Sequence, residues 1–194
     1  MRTQLGSADW SGPTSMAYNL STLKLYIVQS GRLHRIDDEN TGAYSVLGAA
    51  VWGDTSAMTS IGSSLYIVSA GNLYKVNPTN GSRTILGSVG AWLGTTSMSA
   101  QRWGETKGWL YIVQNDRIHR VDPDNGAWTV IGNAEWGGPT SATCYAPGST
   151  DGASSLFVFQ NDRLQKVFRD GSYEAVGGAV WTGPIVSHSI SCNL

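Results

Sequence analysis

Charge is scarce in this chain of 194 residues: Asp, Glu, Lys and Arg make up 14%, against a more usual quarter. The 13 basic and 14 acidic residues leave a net charge of −1 and form no basic block. Nucleic-acid binding therefore has no electrostatic footprint. Cysteine is limited to Cys144 and Cys192, and their spacing excludes a Cys-based zinc site. A bond between them would need Cα atoms within roughly 7 Å, with two buried thiols as the alternative. No apolar run approaches a membrane span. No segment sustains a helical period, so almost no helix is expected. Met1-Arg2-Thr3-Gln4-Leu5-Gly6 lacks the apolar stretch of a secretory leader. That leaves open a cytosolic chain, a leaderless export product acting outside the cell, or a mature form.

Catalytic signatures are missing too. There is no Gly-x-Ser-x-Gly elbow, no His-Glu-x-x-His and no phosphate loop. Histidine occurs three times, at His34, His119 and His188. His34 and His119 fall at equivalent places in two repeats, as expected of an amphipathic strand residue. The acidic turns Asp37-Asp38-Glu39-Asn40 and Asp122-Pro123-Asp124-Asn125-Gly126 lack the bidentate Glu of a calcium loop, and hairpin chemistry accounts for them better. No metal or cofactor is expected.

What the chain has in abundance is Gly, with 24 residues, and Trp, with 8. Five of the tryptophans open one recurring phrase. Its clearest copy is Trp136-Gly137-Gly138-Pro139-Thr140-Ser141-Ala142, and the others start at Trp10, Trp52, Trp92 and Trp181. The steps between them are 42, 40, 44 and 45 residues. Three segments follow each of the first four copies. An apolar strand comes first, as in Leu110-Tyr111-Ile112-Val113. An alternating strand such as Ile118-His119-Arg120-Val121 is next. The last ends in glycine, as in Thr129-Val130-Ile131-Gly132. With the Thr/Ser segment after Trp, this makes four short strands in 40–45 residues, the signature of a propeller blade. The turns agree: Ser30-Gly31, Ala70-Gly71, Asn115-Asp116 and Asn161-Asp162 separate the middle strands, and Asn80-Gly81 and Asn125-Gly126 are strong hairpin signals.

The expected fold is therefore all-β, one β-propeller domain over residues 1–194 built from four-stranded antiparallel blades. Four repeats are complete. Thr3–Gly6 and Ile185–Ser191 supply an extra last strand and an extra first strand. The ring is then five-bladed with one incomplete blade, or four-bladed with spare strands pairing across a homo-oligomer interface, since bare strands are normally covered. Inserts at Gln101–Gly108 and Ala146–Ser155 occupy the same place in neighbouring units.

This grammar (Gly-ending strand, Trp, inner strand, Leu-Tyr strand, Leu-aromatic-Lys/Arg strand) resembles the tectonin and tachylectin-2 type of β-propeller lectin over essentially the whole chain. The segments Ile36–Gly42 and Val121–Gly126 also look like the turns of quinoprotein-like and NHL-like propellers. The lectin resemblance implies a non-enzymatic, metal-independent, multivalent binder of glycans on cell surfaces or glycoproteins, N-acetylated hexosamines among them. Sugars are held by apolar walls with a few fixed polar groups. Both ingredients recur here. The rings are Trp10, Trp52, Trp92, Trp136 and Trp181, which also suit packing between blades. The planar polar groups are Gln29, Gln114 and Gln160 at the ends of second strands, with Arg32, Asn72, Arg117 and Arg163 after the turns. A protein–protein scaffold using the two inserts is the alternative. A propeller lyase or hydrolase would have Cys144 and His188 as its candidate pair.

Overall fold

The structure is a computed structural model. It describes residues 10, 14–101, 107–136, 141–144 and 156–178; Trp181, Cys192, His188 and both terminal strand copies lie outside these, as does most of each insert. Sixteen strands form four antiparallel sheets, and no helix occurs among the described residues. Blade 1 holds β1 (Thr14–Asn19), β2 (Lys24–Gln29), β3 (Arg32–Asp38) and β4 (Ala43–Leu47). Blade 2 holds β5 (Thr55–Ile61), β6 (Ser64–Ser69), β7 (Asn72–Val76) and β8 (Arg83–Leu86). In blade 3 these are β9 (Thr95–Gln101), β10 (Trp109–Gln114), β11 (Arg117–Val121) and β12 (Trp128–Ile131). Blade 4 comprises β13 (Ser141–Cys144), β14 (Leu156–Gln160), β15 (Arg163–Val167) and β16 (Tyr173–Ala175). Strand order follows chain order in every blade. The propeller reading of the repeat is therefore the observed fold.

The turns fix the register. Gln29 faces Arg32, Ser69 faces Asn72, Gln114 faces Arg117 and Gln160 faces Arg163, so each middle hairpin has a two-residue loop. Both loop residues have positive φ in every blade, from Ser30 at 50° and Gly31 at 70° to Asn161 at 50° and Asp162 at 60°. This is the mirror-image turn whose twist matches the strands. Blade 1 departs in one detail: its third strand runs to Asp38, with a bulge between Ile36 and Asp38.

In blades 2 and 3 the second strand is buried on both faces, because a blade stacks against it from either side. Leu65, Tyr66, Ile67 and Val68 are all 0–2% exposed. The inner strands β1, β5, β9 and β13 pack successively against one another. Their small residues, such as Ser97, Ser99 and Ala100 at 0% exposure, let them approach closely near the axis. No comparable packing links β13 back to β1 among the described residues, so these four blades form an arc.

Adjacent blades also meet backbone to backbone. The hairpin glycine of one blade sits on the strand-ending glycine of the blade before it. A Cβ on Gly126 would lie 2.6 Å from the Gly87 nitrogen, and one on Gly171 would lie 2.3 Å from that of Gly132. The Gly-ending strand and the Asn-Gly hairpin are thus two halves of one contact.

Candidate functional site

Each blade has a leading face, turned to the blade before it, and a trailing face. On blade 2 the leading face carries Leu65, Ile67, Tyr74 and Val76, which pack with Trp52 against Tyr26, Val28, Leu33 and Leu47 of blade 1. Trp92 and Trp136 fill the next two junctions in the same way. All three indoles are 2% exposed. Their backbone N–H groups donate to the turn of the preceding blade: Trp52 to Gly31 O at 2.9 Å, Trp92 to Gly71 O at 2.9 Å and Trp136 to Asp116 O at 2.8 Å. These tryptophans are thus placed as spacers between blades, with both ring faces taken up by protein. Trp10, at the open end of the arc, is only partly buried.

The planar polar residues nominated beside them tie the same junctions together. Gln114 Nε2 donates to Ala91 O and Leu93 O, both at 2.7 Å, clamping the backbone around Trp92. Gln160 Nε2 donates to Glu135 O at 3.2 Å, just before Trp136. Ser69, the odd residue of this set, reaches Gly53 O through its hydroxyl. Gln29 is 6% exposed at the matching place. Arg117 Nη1 donates to Asn133 O at 2.7 Å, and Asn72 Oδ1 accepts from Gly90 N at 2.9 Å, so both hold linkers to the next blade. Arg32 and Arg163 are exposed.

A second set of rings emerges at the rim. Four residues before each strand-ending glycine stand Tyr44, Arg83, Trp128 and Tyr173. Pairing of the third and fourth strands puts them on the leading face, beside His34, Tyr74, His119 and Gln165. Tyr44 is 46% exposed, Trp128 52% and Tyr173 54%. Each leans edge-on against a Trp: Tyr44 on the partly buried Trp10 at 5.3 Å, Trp128 on Trp92 at 6.3 Å and Tyr173 on Trp136 at 5.2 Å. In blade 2 the Arg83 guanidinium takes the aromatic's place, 4.5 Å over Trp52 and 4.6 Å over Tyr74. Two residues further along the same strand face, Val46, Ile85 and Val130 are exposed as well. The radial spread of the blades leaves these outer strands uncovered. The fourth strands thus carry the partly buried Arg83 with exposed Ile85, exposed Trp128 with Val130, and exposed Tyr173, at the outer edge of the junctions that hold Trp52, Trp92 and Trp136. Sequence reading missed this set because it took the fourth strands only by their terminal glycine; hairpin register was the available signal.

A third-strand histidine stands beside these rings in blades 3 and 1. His119 lies 5.6 Å from Trp92 and 5.0 Å from Trp128, and burial pushes its imidazole below the ordinary 6.5. His34 is matched to Trp10 and Tyr44 at 5.1 and 5.2 Å.

The acidic turns are spent on local bonds. Asp122 Oδ1 accepts from Asp124 N at 2.8 Å and from Lys107 Nζ at 2.7 Å. Hydrogen bonding to Lys107 holds the Asp124 carboxyl below its usual range. Tyr66 donates its hydroxyl to Pro123 O at 3.2 Å, and desolvation, with Asp124 nearby, pushes its pKa up to about 12. Two clefts lie among the described residues. One of about 550 Å³ is walled by hydroxyls, including Ser21, Thr22, Ser64 and Thr84, with Lys75. The other, of about 880 Å³, lies on the leading face of blade 1 between Trp10, Tyr18, Leu25 and Ile36.

No protein-family model and no curated protein matches the chain. Solved structures do, and they are β-propeller-like. An auxiliary nutrient binding protein from Bacteroides thetaiotaomicron is 13% identical with a TM-score of 0.64, over 84% of this chain and 46% of that one. Regucalcin, a calcium-binding protein from Agrobacterium tumefaciens, is 18% identical with a TM-score of 0.58, over 83% and 57%. The Malassezia sympodialis allergen Mala s 1 is 12% identical with a TM-score of 0.56, over 75% and 48%. The chain spans about half the length of these proteins, and at such identities the likeness is one of fold.

Proposed function

We propose that the chain is a multivalent carbohydrate-binding protein whose weak sites lie at the outer edges of the blade junctions. The observation that carries this reading is the repetition of Tyr44, Trp128 and Tyr173 at one register position, each about half exposed and braced from behind by a Trp. A rigid, exposed ring is the surface that a pyranose C–H patch covers, and bracing removes the entropy cost of ordering it. Trp10, Trp52, Trp92 and Trp136 then serve the ligand by holding the platform. Arg32 and Arg163 are exposed two residues ahead of His34 and Gln165 on the same strand face, where they can donate to sugar hydroxyls.

The resemblance to tectonin-type lectins and the nutrient-binding description of one fold neighbour both support a binding role. Repetition supports it further. Several equivalent sites on one rigid body raise avidity roughly 10²–10⁴-fold against clustered targets, whereas an enzyme gains nothing from copies. N-acetylated hexosamines on cell surfaces are the target class favoured here.

A glycan array with a haemagglutination-inhibition assay tests the reading. The expected result is agglutination blocked by free N-acetylglucosamine or N-acetylgalactosamine, and weakened by Trp128→Ala. Absence of any glycan signal, or binding indifferent to Trp128 and Tyr173, would contradict it.

A further inference from the structure

Blade 2 departs from the other blades at its outer edge. Its fourth strand carries Arg83 at the place of Tyr44, Trp128 and Tyr173. The guanidinium lies 4.5 Å over Trp52 and 4.6 Å over Tyr74, and Nη1 donates to Val51 O at 3.1 Å. Two ring faces and one carbonyl thus hold the planar fork in place. Among the described residues no carboxylate pairs with Arg83, and its other N–H groups have no acceptor. An ordered, partly buried guanidinium without a counter-charge suits a planar oxyanion, which its parallel N–H groups can bond two at a time.

A cleft of about 550 Å³ adjoins it, lined by Arg83 and Lys75 with the hydroxyl-bearing Ser21, Thr22, Ser64 and Thr84. Blade 3 provides the comparison. Trp109 stands at the place of Ser64 and Trp128 at that of Arg83, while Asp122 and Asp124 stand at the places of Asn77 and Thr79. There Arg120, the counterpart of Lys75, stacks on Trp109 at 3.8 Å, and Lys107 bonds Asp122 and Asp124 at 2.7 and 2.8 Å. At these positions blade 2 lacks both indoles and both carboxylates and keeps two cations. The acid partner of Lys75 among the described residues is Asp124 of blade 3 at 3.6 Å, a carboxylate that Lys107 holds more closely.

From this we infer that the blade 2 cleft takes an acidic saccharide, with Arg83 and Lys75 holding its carboxylate or sulfate and the serine and threonine side chains bonding its hydroxyls. The volume falls within the ~300–1,000 Å³ of small-molecule sites. Ser and Thr hydroxyls both donate and accept, as sugar hydroxyls do. A guanidinium already fixed on two rings loses little freedom on binding. The inference rests on the carbohydrate reading and narrows it: blade 2 holds one station for a charged sugar, where the aromatic rims of the other blades serve neutral ones.

Calorimetric titration with glucuronic acid, glucose 6-sulfate and glucose tests it, with the fold of each variant checked by circular dichroism. One or both acidic sugars are expected to bind roughly tenfold or more tightly than glucose, because hydrogen bonds to charged groups are the strong ones. Whichever binds better tells a uronic from a sulfated ligand. Arg83→Gln is expected to lower that affinity roughly tenfold and Lys75→Gln roughly threefold, and Trp128→Ala to leave it unchanged. Should Arg83→Gln not fold, Lys75→Gln leaves the stack on Trp52 intact and carries the test. No preference over glucose, a preference that either substitution leaves intact, or equal competition by inorganic sulfate overturns the proposal. Loss of acidic-sugar binding with N-acetylglucosamine binding retained sinks this inference alone, and the converse sinks the neutral stations alone.

Discussion

Replacing Gly126 by Ala probes the contact on which blade spacing depends. Gly126 has a φ of 76°, and Ala at such a position costs about 1–2 kcal/mol. The lower chain entropy of unfolded Ala offsets about 0.5–1 kcal/mol of that. The added methyl would lie 2.6 Å from Gly87 N and 2.7 Å from Leu86 C, both backbone atoms of the neighbouring blade. Two sheets would have to part by nearly an ångström, an overpacking strain of about 1–3 kcal/mol. The sum is a destabilisation of about 1–4.5 kcal/mol, the upper part of which is a large share of a typical folding free energy. Two other glycines separate the terms. Gly90 has a φ of 75° and open space where a Cβ would go, so Gly90→Ala reports backbone strain alone, about 1 kcal/mol or less. Gly53 has no neighbour within 4 Å and no positive φ, so Gly53→Ala should be neutral or slightly stabilising. Urea unfolding measures all three, provided the m-value stays constant. If Gly126→Ala unfolds no earlier than Gly90→Ala, the glycine contact does not set the spacing of the blades.

Other parts of the structure give equally definite outcomes. Ala70 has a φ of 48° in a turn that favours Asn, so Ala70→Asn should raise the thermal midpoint by about 2–4 °C, equivalent to about 1 kcal/mol. Gln114→Ala removes two partly buried bonds to the Trp92 segment and should cost about 1–3 kcal/mol in denaturant unfolding, whereas Arg163→Ala on the exposed rim should cost under about 0.5 kcal/mol. Burial lowers the His119 pKa, so its folded value lies below its unfolded one. The unfolded chain therefore takes up the proton first as pH falls. Stability should be full above the ordinary 6.5 and decline below it, and His119→Gln, the residue type used at the same place in blade 4, should flatten that slope in a pH series of melts.

Blade architecture was readable in the sequence because its determinants are local. Alternation along Ile118–Val121, the Asn-Gly hairpins and the period between tryptophans each reflect chemistry within a few residues of the chain. The bulge that carries the third strand of blade 1 to Asp38 left no such mark. Site residues were harder, since their roles are fixed by what the next blade brings. A planar amide that can bond a sugar hydroxyl bonds a carbonyl equally well, and Gln114 spends both its donors on Ala91 and Leu93. An indole that can stack on a pyranose can also fill a junction, and Trp52 lies between two sheets at 2% exposure. Conversely, Trp128 lies just outside the Thr129–Gly132 segment by which the fourth strand is recognised, and only hairpin register puts it on the exposed part of its face.

The central claim is that one β-module has been copied around an axis, with its ligand station copied too. Calorimetric titration of the folded chain with N-acetylglucosamine or N-acetylgalactosamine addresses it most directly. The account predicts more than one site per chain, with Trp128→Ala and Tyr173→Ala each removing about one and leaving the remainder unchanged. A single site per chain, or a stoichiometry that neither substitution alters, would contradict it.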